Sequence, residues 1–337
     1  MRSMTEGLLQ SKETTPQACS TPAPLVQGSR IGPHPTVGRG LLPPQNSLPP
    51  RGSLNYVPIL FSRKDDTTPM QKRTDYNGVT YFYSEGLYPV RHGFSTRLGG
   101  LSKAAHTASL NTGFYRGDKD IIVQKNIERF CEALAVDAHT LVVMPQIHST
   151  EVRVVDRTMG GHGIYTPPVF ECDALVTDSA GTALGVRVAD CVPVLLADPG
   201  AKVIAAVHAG WRGTVGDIVG KTVKKMCYLG ASAEDIRAAI GPHISMANYE
   251  VGEEVARAVL EAVGEENLTL RHLRPAAESG KFLCGLGAVN ETLLLRAGLR
   301  PEHIDLSDAC TYADAELFYS HRRMGDKRGT MMAVIAI

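Results

Sequence analysis

Hydrophobic positions along the chain follow two spacings, and these predict both strands and helices. Short β-branched runs bounded by Gly, Asp or Pro are typical of strands, and they occur in GVTYFYS, VRHGFST, LVVMPQ, VRVVD, DALVTD, ALGVRVA, VPVLLAD, KVIAAVHA, DIRAAIG and GTMMAVIAI. Apolar residues at helical spacing predict helices in DIIVQKNIERFCEAL, DIVGKTVKKMCYLG, VGEEVARAVLEAVG and LGAVNETLLLRAGL. The two types mix without strict βαβ alternation. We therefore expect an α/β fold, a mixed-sheet sandwich in a single domain, rather than a barrel or a doubly wound sheet.

The first 52 residues lack this periodicity and hold nine of the 20 prolines. Such a segment buries too little apolar surface to offset its ordering entropy. We predict a mostly disordered Pro/Ser/Thr-rich N-terminal segment over residues 1–75, with 53–75 its ambiguous part, and a folded domain over residues 76–337. Five basic residues against two acids in the first 52 loosely resemble an organelle transit peptide, although a plain disordered tail is the preferred interpretation.

Charge and cysteine content narrow the class of protein. The 35 basic and 35 acidic residues cancel, which gives no electrostatic footprint for nucleic acid or an anionic membrane. No apolar run approaches the roughly 20 residues that span a bilayer. The seven cysteines are odd in number and contain no CxxC pair, so a disulfide framework is not expected. We expect a cytoplasmic protein without nucleic-acid or membrane partners, with organelle targeting by the N-terminal segment as the alternative.

Three side chains stand where apolar runs break into small or polar residues: His148 in MPQIHST, Cys191 in VADCVPV and His208 in VHAGWRG. They are 43 and 17 residues apart, so only tertiary folding can bring them together. Two imidazoles and one thiolate are good ligands for Zn²⁺, and three protein ligands leave a fourth position open for water or substrate. The alternative is two hydrogen-bonded strand-end histidines and a core cysteine, and spacing alone leaves both open.

Residues beside the ligands add candidate roles. Asp190 precedes the thiol and is predicted to orient a ligand histidine, to accept a proton, or to cap the turn. In AGWRG, glycines flank Trp211 and Arg212 and allow close approach of the backbone to a ligand. Arg212 suits a phosphate-like anion, while Trp211 either stacks on a base or caps the core.

The run HGFSTRLGGLS has the same character, since a predicted strand ends in polar residues and paired glycines. Ser95 and Arg97 there offer a hydroxyl and a guanidinium, which together with backbone amides are suited to hold an oxyanion. A solvated turn is the competing interpretation.

The histidine spacing excludes one class of metal enzyme. A trinuclear copper cluster needs many histidine ligands, commonly supplied as HxH pairs, and none of the 11 histidines lies two residues from another. Copper is therefore less favoured than zinc as the cofactor.

Seven blocks in this order resemble the laccase-domain, or multicopper polyphenol oxidase-like, family over residues 76–337. They are HGFSTRLGGLS with SLN, MPQIHSTEV, CDALVTD, VRVADCVPVLLAD, VHAGWRGT, IGPHISMANYEVGEEV and DACTY with FYSHRR. Members are now assigned as purine nucleoside phosphorylases, so the resemblance implies an α/β sandwich and a zinc site at His148, Cys191 and His208.

The resemblance also implies an activity. It implies phosphorolysis of adenosine, inosine, guanosine and S-methyl-5'-thioadenosine to the free base and a ribose 1-phosphate, together with deamination of adenosine. Purine nucleosides and inorganic phosphate are then the expected partners. From side-chain chemistry we add that Arg97 and Arg212 hold the phosphate.

Other functions stay open. Cys191 as nucleophile and His208 as base describe a metal-free Cys-His amidase or hydrolase acting on a cell-wall-type precursor. A copper-dependent polyphenol oxidase is disfavoured by the missing HxH pairs. A non-enzymatic scaffold is the fourth hypothesis, and the oligomeric state is open.

Overall fold

The structure, a computed structural model, describes residues 70–337. The strands in this range are β1 (Gln71–Thr74), β2 (Thr80–Tyr83), β3 (Arg91–Ser95), β4 (Leu141–Val143), β5 (Val152–Val154), β6 (Ala174–Thr177), β7 (Ala183–Val188), β8 (Val192–Asp198), β9 (Val203–Ala209), β10 (Arg237–Ile240), β11 (Glu250–Gly252), β12 (Leu273–Pro275), β13 (Lys281–Cys284), β14 (Ile304–Leu306) and β15 (Met331–Ala336). The helices are α1 (Asp120–Ala133), α2 (Trp211–Val215), α3 (Ile218–Tyr228), α4 (Glu253–Val263), α5 (Leu286–Arg296) and α6 (His321–Met324).

Two six-stranded sheets and one small sheet contain these strands. The first large sheet has the order β1-β2-β3-β15-β7-β4, and the second has the order β14-β10-β8-β9-β6-β5. The small sheet has the order β11-β13-β12. Within the two large sheets, the pairs β4–β7, β10–β14 and β5–β6 are parallel and the others are antiparallel. The sheets are therefore mixed.

The two large sheets pack face to face, because alternate residues of their central strands are apolar on the facing side. Leu195 of β8 and Ile204 and Ala206 of β9 belong to one buried cluster with Leu184 of β7 and Ile335 of β15. All five side chains are fully buried. This cluster is the centre of the sandwich.

Helices cover the outer face of each sheet. Ile127 and Phe130 of α1 pack on the first sheet, while Val219 of α3, Val259 of α4 and Val289 of α5 pack on the second. The layers are therefore helix, sheet, sheet, helix. The prediction of a mixed-sheet α/β sandwich is confirmed.

The predicted elements and the observed ones differ in their short members. All ten predicted strands and all four predicted helices are present, whereas β1, β11–β14, α2 and α6 were not predicted. These elements have three to five residues and lack an extended apolar run, whereas the equally short β4 and β5 lie within the patterned runs LVVMPQ and VRVVD. β1 has the polar sequence QKRT and lies at a sheet edge, so regular structure begins before residue 76. Most of the predicted disordered segment, residues 1–69, lies outside the described residues.

Within residues 70–337, no helix has both the length and the hydropathy that crossing a membrane requires. The cytoplasmic location and the targeting role of the N-terminal segment stay predictions.

Truncation of a side chain between the sheets tests the packing. We expect Ile204→Ala to lower the free energy of unfolding by about 2–5 kcal/mol, because it leaves a cavity in a closely packed layer. Urea denaturation measures this change. Val169→Ala, at an exposed position, is the control and is expected to change it little. A similar small effect for both variants would contradict the packing described.

Candidate metal centre

Three side chains that are distant in sequence meet at one end of the sandwich. His148 lies in the loop after β4, Cys191 immediately precedes β8, and His208 is the penultimate residue of β9. Their ligand atoms all lie within 4.8 Å of one another. The Cys191 Sγ is 3.9 Å from His148 Nε2, and the two imidazole centroids are 4.9 Å apart. The convergence expected from the sequence is present.

The pairing of β8 with β9 brings Cys191 and His208 together. Its register places Val192 opposite Ala209 and Pro193 opposite His208. Cys191, one residue before the first pair, therefore lies across from the end of β9. Two of the three candidate ligands are held by a regular antiparallel ladder rather than by a flexible loop.

A buried carboxylate fixes the orientation of His208. Asp173 Oδ1 is 2.8 Å from His208 Nδ1, and the two residues are 0% and 3% exposed. Because this hydrogen bond takes Nδ1 as its donor, Nε2 is the nitrogen that has a free lone pair for a metal when the ring is neutral.

The same carboxylate holds the loop that carries His148. Asp173 Oδ1 accepts the His148 backbone amide at 3.0 Å, and Oδ2 accepts the amide and the hydroxyl of Ser149, each at 2.7 Å. Asp173 thus positions two of the three candidate ligands. Asp173, in the run CDALVTD, had no predicted role. The available signal was a carboxylate placed directly before the apolar run Ala-Leu-Val of β6.

Two backbone positions shape the site, one by its conformation and the other by its lack of a side chain. His148 has φ 59°, in the left-handed region that non-glycine residues seldom occupy. Gly210 has an ordinary φ, but a Cβ there would lie 2.9 Å from His148 Cδ2 and 3.3 Å from Cys191 Sγ. Gly210 therefore keeps space between two candidate ligands, as predicted for the glycines of AGWRG.

Electrostatics favours a thiolate beside a protonated imidazole in the metal-free site. Burial by itself raises the pKa of the Cys191 thiol, but His208 and His148 outweigh it and bring that pKa down to about 6. Burial lowers the pKa of His208, whereas the Cys191 sulfur and the Asp173 carboxylate raise it to about 9. The Cys191 sulfur thus has the anionic form that a metal ligand requires.

Asp190 does not orient a histidine, which corrects one prediction. Its Oδ1 accepts the Thr311 hydroxyl at 2.6 Å, and its Oδ2 accepts the Ser320 hydroxyl at 3.0 Å and the Arg322 amide at 2.6 Å. The orienting carboxylate is Asp173 instead. Asp190 has φ 91°, and its hydrogen bonds hold the turn into Cys191 against that strained backbone.

A cavity of about 560 Å³ opens beside the three candidate ligands. That volume is within the range of small-molecule sites. It is lined by Gly113, Phe114, Tyr115, Arg116, Asp120, Gln124, Val143, Met144, Pro145, Gln146, His148, Gly163, Ile164, Tyr165, Thr166, Pro167, Pro168, Arg187, Val188, Ala189, Cys191, His208, Arg328 and Thr330.

Ser95 and Arg97 lie outside this lining and have other partners, which corrects the predicted oxyanion site. The Ser95 hydroxyl oxygen accepts the Met332 amide at 2.9 Å within the first sheet. Arg97 donates from Nε to the Ala108 carbonyl at 2.8 Å and from Nη1 to the Ala315 carbonyl at 3.1 Å. Its guanidinium therefore ties loops together.

Trp211 and Arg212 do not line the cavity either, and their contact with a bound ligand stays a prediction. Trp211 begins α2 and packs against the buried cluster on the outer face of the second sheet. The Arg212 guanidinium lies over its ring, 4.4 Å from the centroid. The alternative role of Trp211, a cap on the core, is the one observed.

Sequence analysis missed two cavity residues that hold each other in place. Gln146 accepts the Arg187 amide at 2.8 Å and donates to the Arg187 carbonyl at 2.7 Å, which joins the His148 loop to β7. A charged residue inside the apolar strand ALGVRVA was the signal for Arg187, because such a residue needs a compensating environment.

The sequence of this chain matches a known protein family. Residues 91–337 match the family model described as multi-copper polyphenol oxidoreductase laccase. The chain belongs to this laccase-like family.

Relatives of this chain are named as enzymes of purine metabolism. A purine nucleoside phosphorylase of Corynebacterium glutamicum is 41% identical over 70% of this chain and 90% of its own length. Adenosine deaminase RL5, from an unknown prokaryotic organism, is 37% identical over 70% of this chain and 90% of its own length. The crystal structure of YlmD from Geobacillus stearothermophilus has a TM-score of 0.72 and 32% identity over 80% of this chain and 99% of that chain. The chain is therefore an enzyme of this kind.

Substitution of the buried carboxylate tests its positioning role. We expect Asp173→Asn to weaken Zn²⁺ binding about 10- to 100-fold, the effect typical of losing the hydrogen-bond partner of a ligand histidine. Competition against a chromophoric chelator measures the affinity. Asp178→Asn, an exposed change just beyond the same strand, is the matched control. Equal zinc affinity in both variants would remove Asp173 from the site.

Gly210 offers a steric test of the same centre. We expect Gly210→Ala to lower the zinc bound per chain, because the new methyl group displaces His148 or Cys191. Elemental analysis of purified protein measures the metal. Gly252→Ala adds a methyl group into open space at φ −82°, so it serves as the control. Full zinc occupancy in Gly210→Ala would show that the three side chains do not bind the metal in this arrangement.

Proposed function

We propose that this protein is a zinc-dependent purine nucleoside phosphorylase that also deaminates adenosine. The observation that carries the proposal is the convergence of His148, Cys191 and His208 at the wall of an open cavity. The substrates are adenosine, inosine, guanosine and S-methyl-5'-thioadenosine, with inorganic phosphate as the second substrate.

The donor set and its spacing fit Zn²⁺. In a tetrahedral site, a nitrogen at about 2.1 Å and a sulfur at about 2.3 Å from one ion are about 3.6 Å apart. The Cys191 Sγ to His148 Nε2 distance of 3.9 Å is close to that value. The hydrogen bond from His208 Nδ1 to Asp173 is the support that metal-bound histidines usually have. His148, Cys191 and His208 would hold the ion.

The chain's own residues would hold the metal and bind the nucleoside. Zn²⁺, when bound, acts as a Lewis acid toward an oxygen in its open position. Asp173 keeps His208 in the tautomer that binds metal. Phe114, Tyr115 and Tyr165 give the cavity aromatic surface that suits a flat purine base.

Relatives support this substrate class more than phenol oxidation. Their names are purine nucleoside phosphorylase and adenosine deaminase. In residues 70–337, the histidines, cysteines and carboxylates form one group with metal-binding geometry. A multicopper oxidase needs several such groups.

One observation favours a second candidate, the metal-free Cys-His hydrolase. The low pKa of Cys191, caused by the two imidazoles that outweigh burial, is also what a nucleophilic cysteine requires. The Asp173–His208 hydrogen bond would orient the base in that mechanism. Metal content separates the two functions, since a nucleophile works without stoichiometric zinc.

Incubation of metal-analysed protein with adenosine tests the proposal. With phosphate we expect adenine and ribose 1-phosphate, and without phosphate we expect inosine. His148→Ala is expected to lose zinc and to retain below about 1% of activity, because losing a ligand exceeds the 10- to 100-fold effect of losing its partner.

His321→Ala is the matched control, since His321 is exposed and outside the cavity lining. It is expected to keep both zinc and activity. Turnover by zinc-free protein would support the hydrolase, and absence of both products from zinc-loaded protein would remove the proposal.

A further inference from the structure

We propose that Arg187 and Arg328 form the binding site for inorganic phosphate in the cavity beside His148, Cys191 and His208. This inference rests on the proposed phosphorylase function and identifies how its second substrate is recognised. It replaces the predicted role of Arg97 and Arg212, which lie outside the cavity lining.

Arg328 has a donor with no partner. Its Nε is buried and makes no hydrogen bond to any described residue, and its Nη1 donates to the carbonyl of the next residue, Gly329, at 3.1 Å. A buried, unsatisfied donor costs free energy. Arg328 also lines the cavity, so an anion bound there would supply an acceptor to its guanidinium group.

Arg187 is held in a fixed orientation by the protein. Its Nε donates to the Thr112 carbonyl at 2.9 Å, and its Nη2 donates to the Gly163 carbonyl at 3.1 Å. The guanidinium also lies 5.2 Å from the centroid of the Phe114 ring. Backbone carbonyls stabilise the cation without neutralising it. The group is therefore rigid and still carries its full charge.

The cavity lining has an excess of positive charge in a protein whose net charge is zero. It contains Arg116, Arg187 and Arg328, but Asp120 is the single carboxylate among its lining residues. Burial lowers the pKa of Arg328 and the nearby charge of Arg116 lowers it further, whereas the charges of Asp190, Cys191 and Asp326 raise it. Asp120 is exposed, so it does not neutralise the buried cations. A phosphate in the cavity would add compensating negative charge on the open side of the two guanidinium groups.

Guanidinium groups select for phosphate by geometry. Their planar pairs of N–H donors match two oxygens of a phosphate. A free phosphate and the phosphoryl group of a nucleotide share this chemistry. We assign the free anion, because the proposed reaction consumes inorganic phosphate.

The role of the site in the reaction follows from bond changes. A phosphate oxygen forms a bond to C1′ of the ribose while the bond from C1′ to the purine N9 breaks. The bonding electron pair leaves with the base, which takes up a proton from solvent water. Two guanidinium groups that hold the phosphate beside the nucleoside lower the entropic barrier to that displacement.

Steady-state kinetics of Arg328→Gln tests the assignment. We expect the KM for phosphate to rise roughly 10- to 100-fold, the scale of a lost charge-assisted hydrogen bond, with bound zinc unchanged. The ratio of phosphorolysis to deamination at low phosphate should fall by the same factor. An unchanged KM for phosphate would overturn the proposal.

Two further variants guard against an unfolding artefact. Arg187→Lys keeps the positive charge but loses the planar pair of N–H donors, and we expect it also to raise the KM for phosphate. Arg257→Gln, an exposed change on α4 outside the cavity lining, should leave that KM unchanged. Thermal melting and zinc analysis of each variant confirm that the fold and metal are intact.

Direct binding separates this inference from the proposed function. Calorimetric titration of the zinc-loaded protein with phosphate should show binding that Arg328→Gln weakens, even if no nucleoside is cleaved. Absence of phosphorolysis with such binding would overturn the function alone. Binding of adenosine monophosphate but not of phosphate, dependent on Arg328, would overturn the assignment of the free anion.

Discussion

The carboxylate of Asp173 is the constraint on which the candidate site depends. It directly precedes β6, accepts a hydrogen bond from the His208 imidazole, and accepts further hydrogen bonds from the amides of His148 and Ser149. One buried anion thereby connects β6, β9 and the loop after β4. A buried carboxylate needs several hydrogen-bond donors to remain charged. Asp173 therefore keeps the loop after β4 in place, and the donors of that loop keep Asp173 ionised. Burial raises the pKa of Asp173, but these hydrogen bonds outweigh it and hold that pKa at about 2.

The site combines features that oppose stability. His148 and Asp190 have positive φ, the Arg328 Nε has no hydrogen-bond partner among the described residues, and the cavity wall carries an excess of cations. Each would be destabilising in a protein core. They lie at one end of a sandwich whose centre, around Leu195 and Ile204, is uniformly apolar and fully buried. The packed centre supplies the rigidity that such a site requires.

Sequence reasoning was most successful where a residue's role follows from its own strand. The apolar runs correctly predicted ten strands. The polar residues at the ends of three of these runs indicated His148, Cys191 and His208 as candidate ligands. It was least successful for arginines. Arg97 follows a strand and precedes glycines as expected of an anion site, yet its donors are taken by carbonyls from Ala108 and Ala315. Those carbonyls belong to loop segments outside the strand that precedes Arg97, and the sequence around Arg97 does not predict that these segments pack against it.

The sequence by itself determined the layered α/β architecture and the identity of the candidate ligands, because hydrophobic periodicity and side-chain chemistry are properties of single segments. Only the tertiary structure decided which charged groups face the cavity. Arg187 and Arg328 are 141 residues apart and share one cavity, while Arg212 lies close to His208 in sequence but stacks on Trp211 outside the cavity lining. The physical reason is that the direction of a side chain depends on strand register and on loops from other parts of the chain.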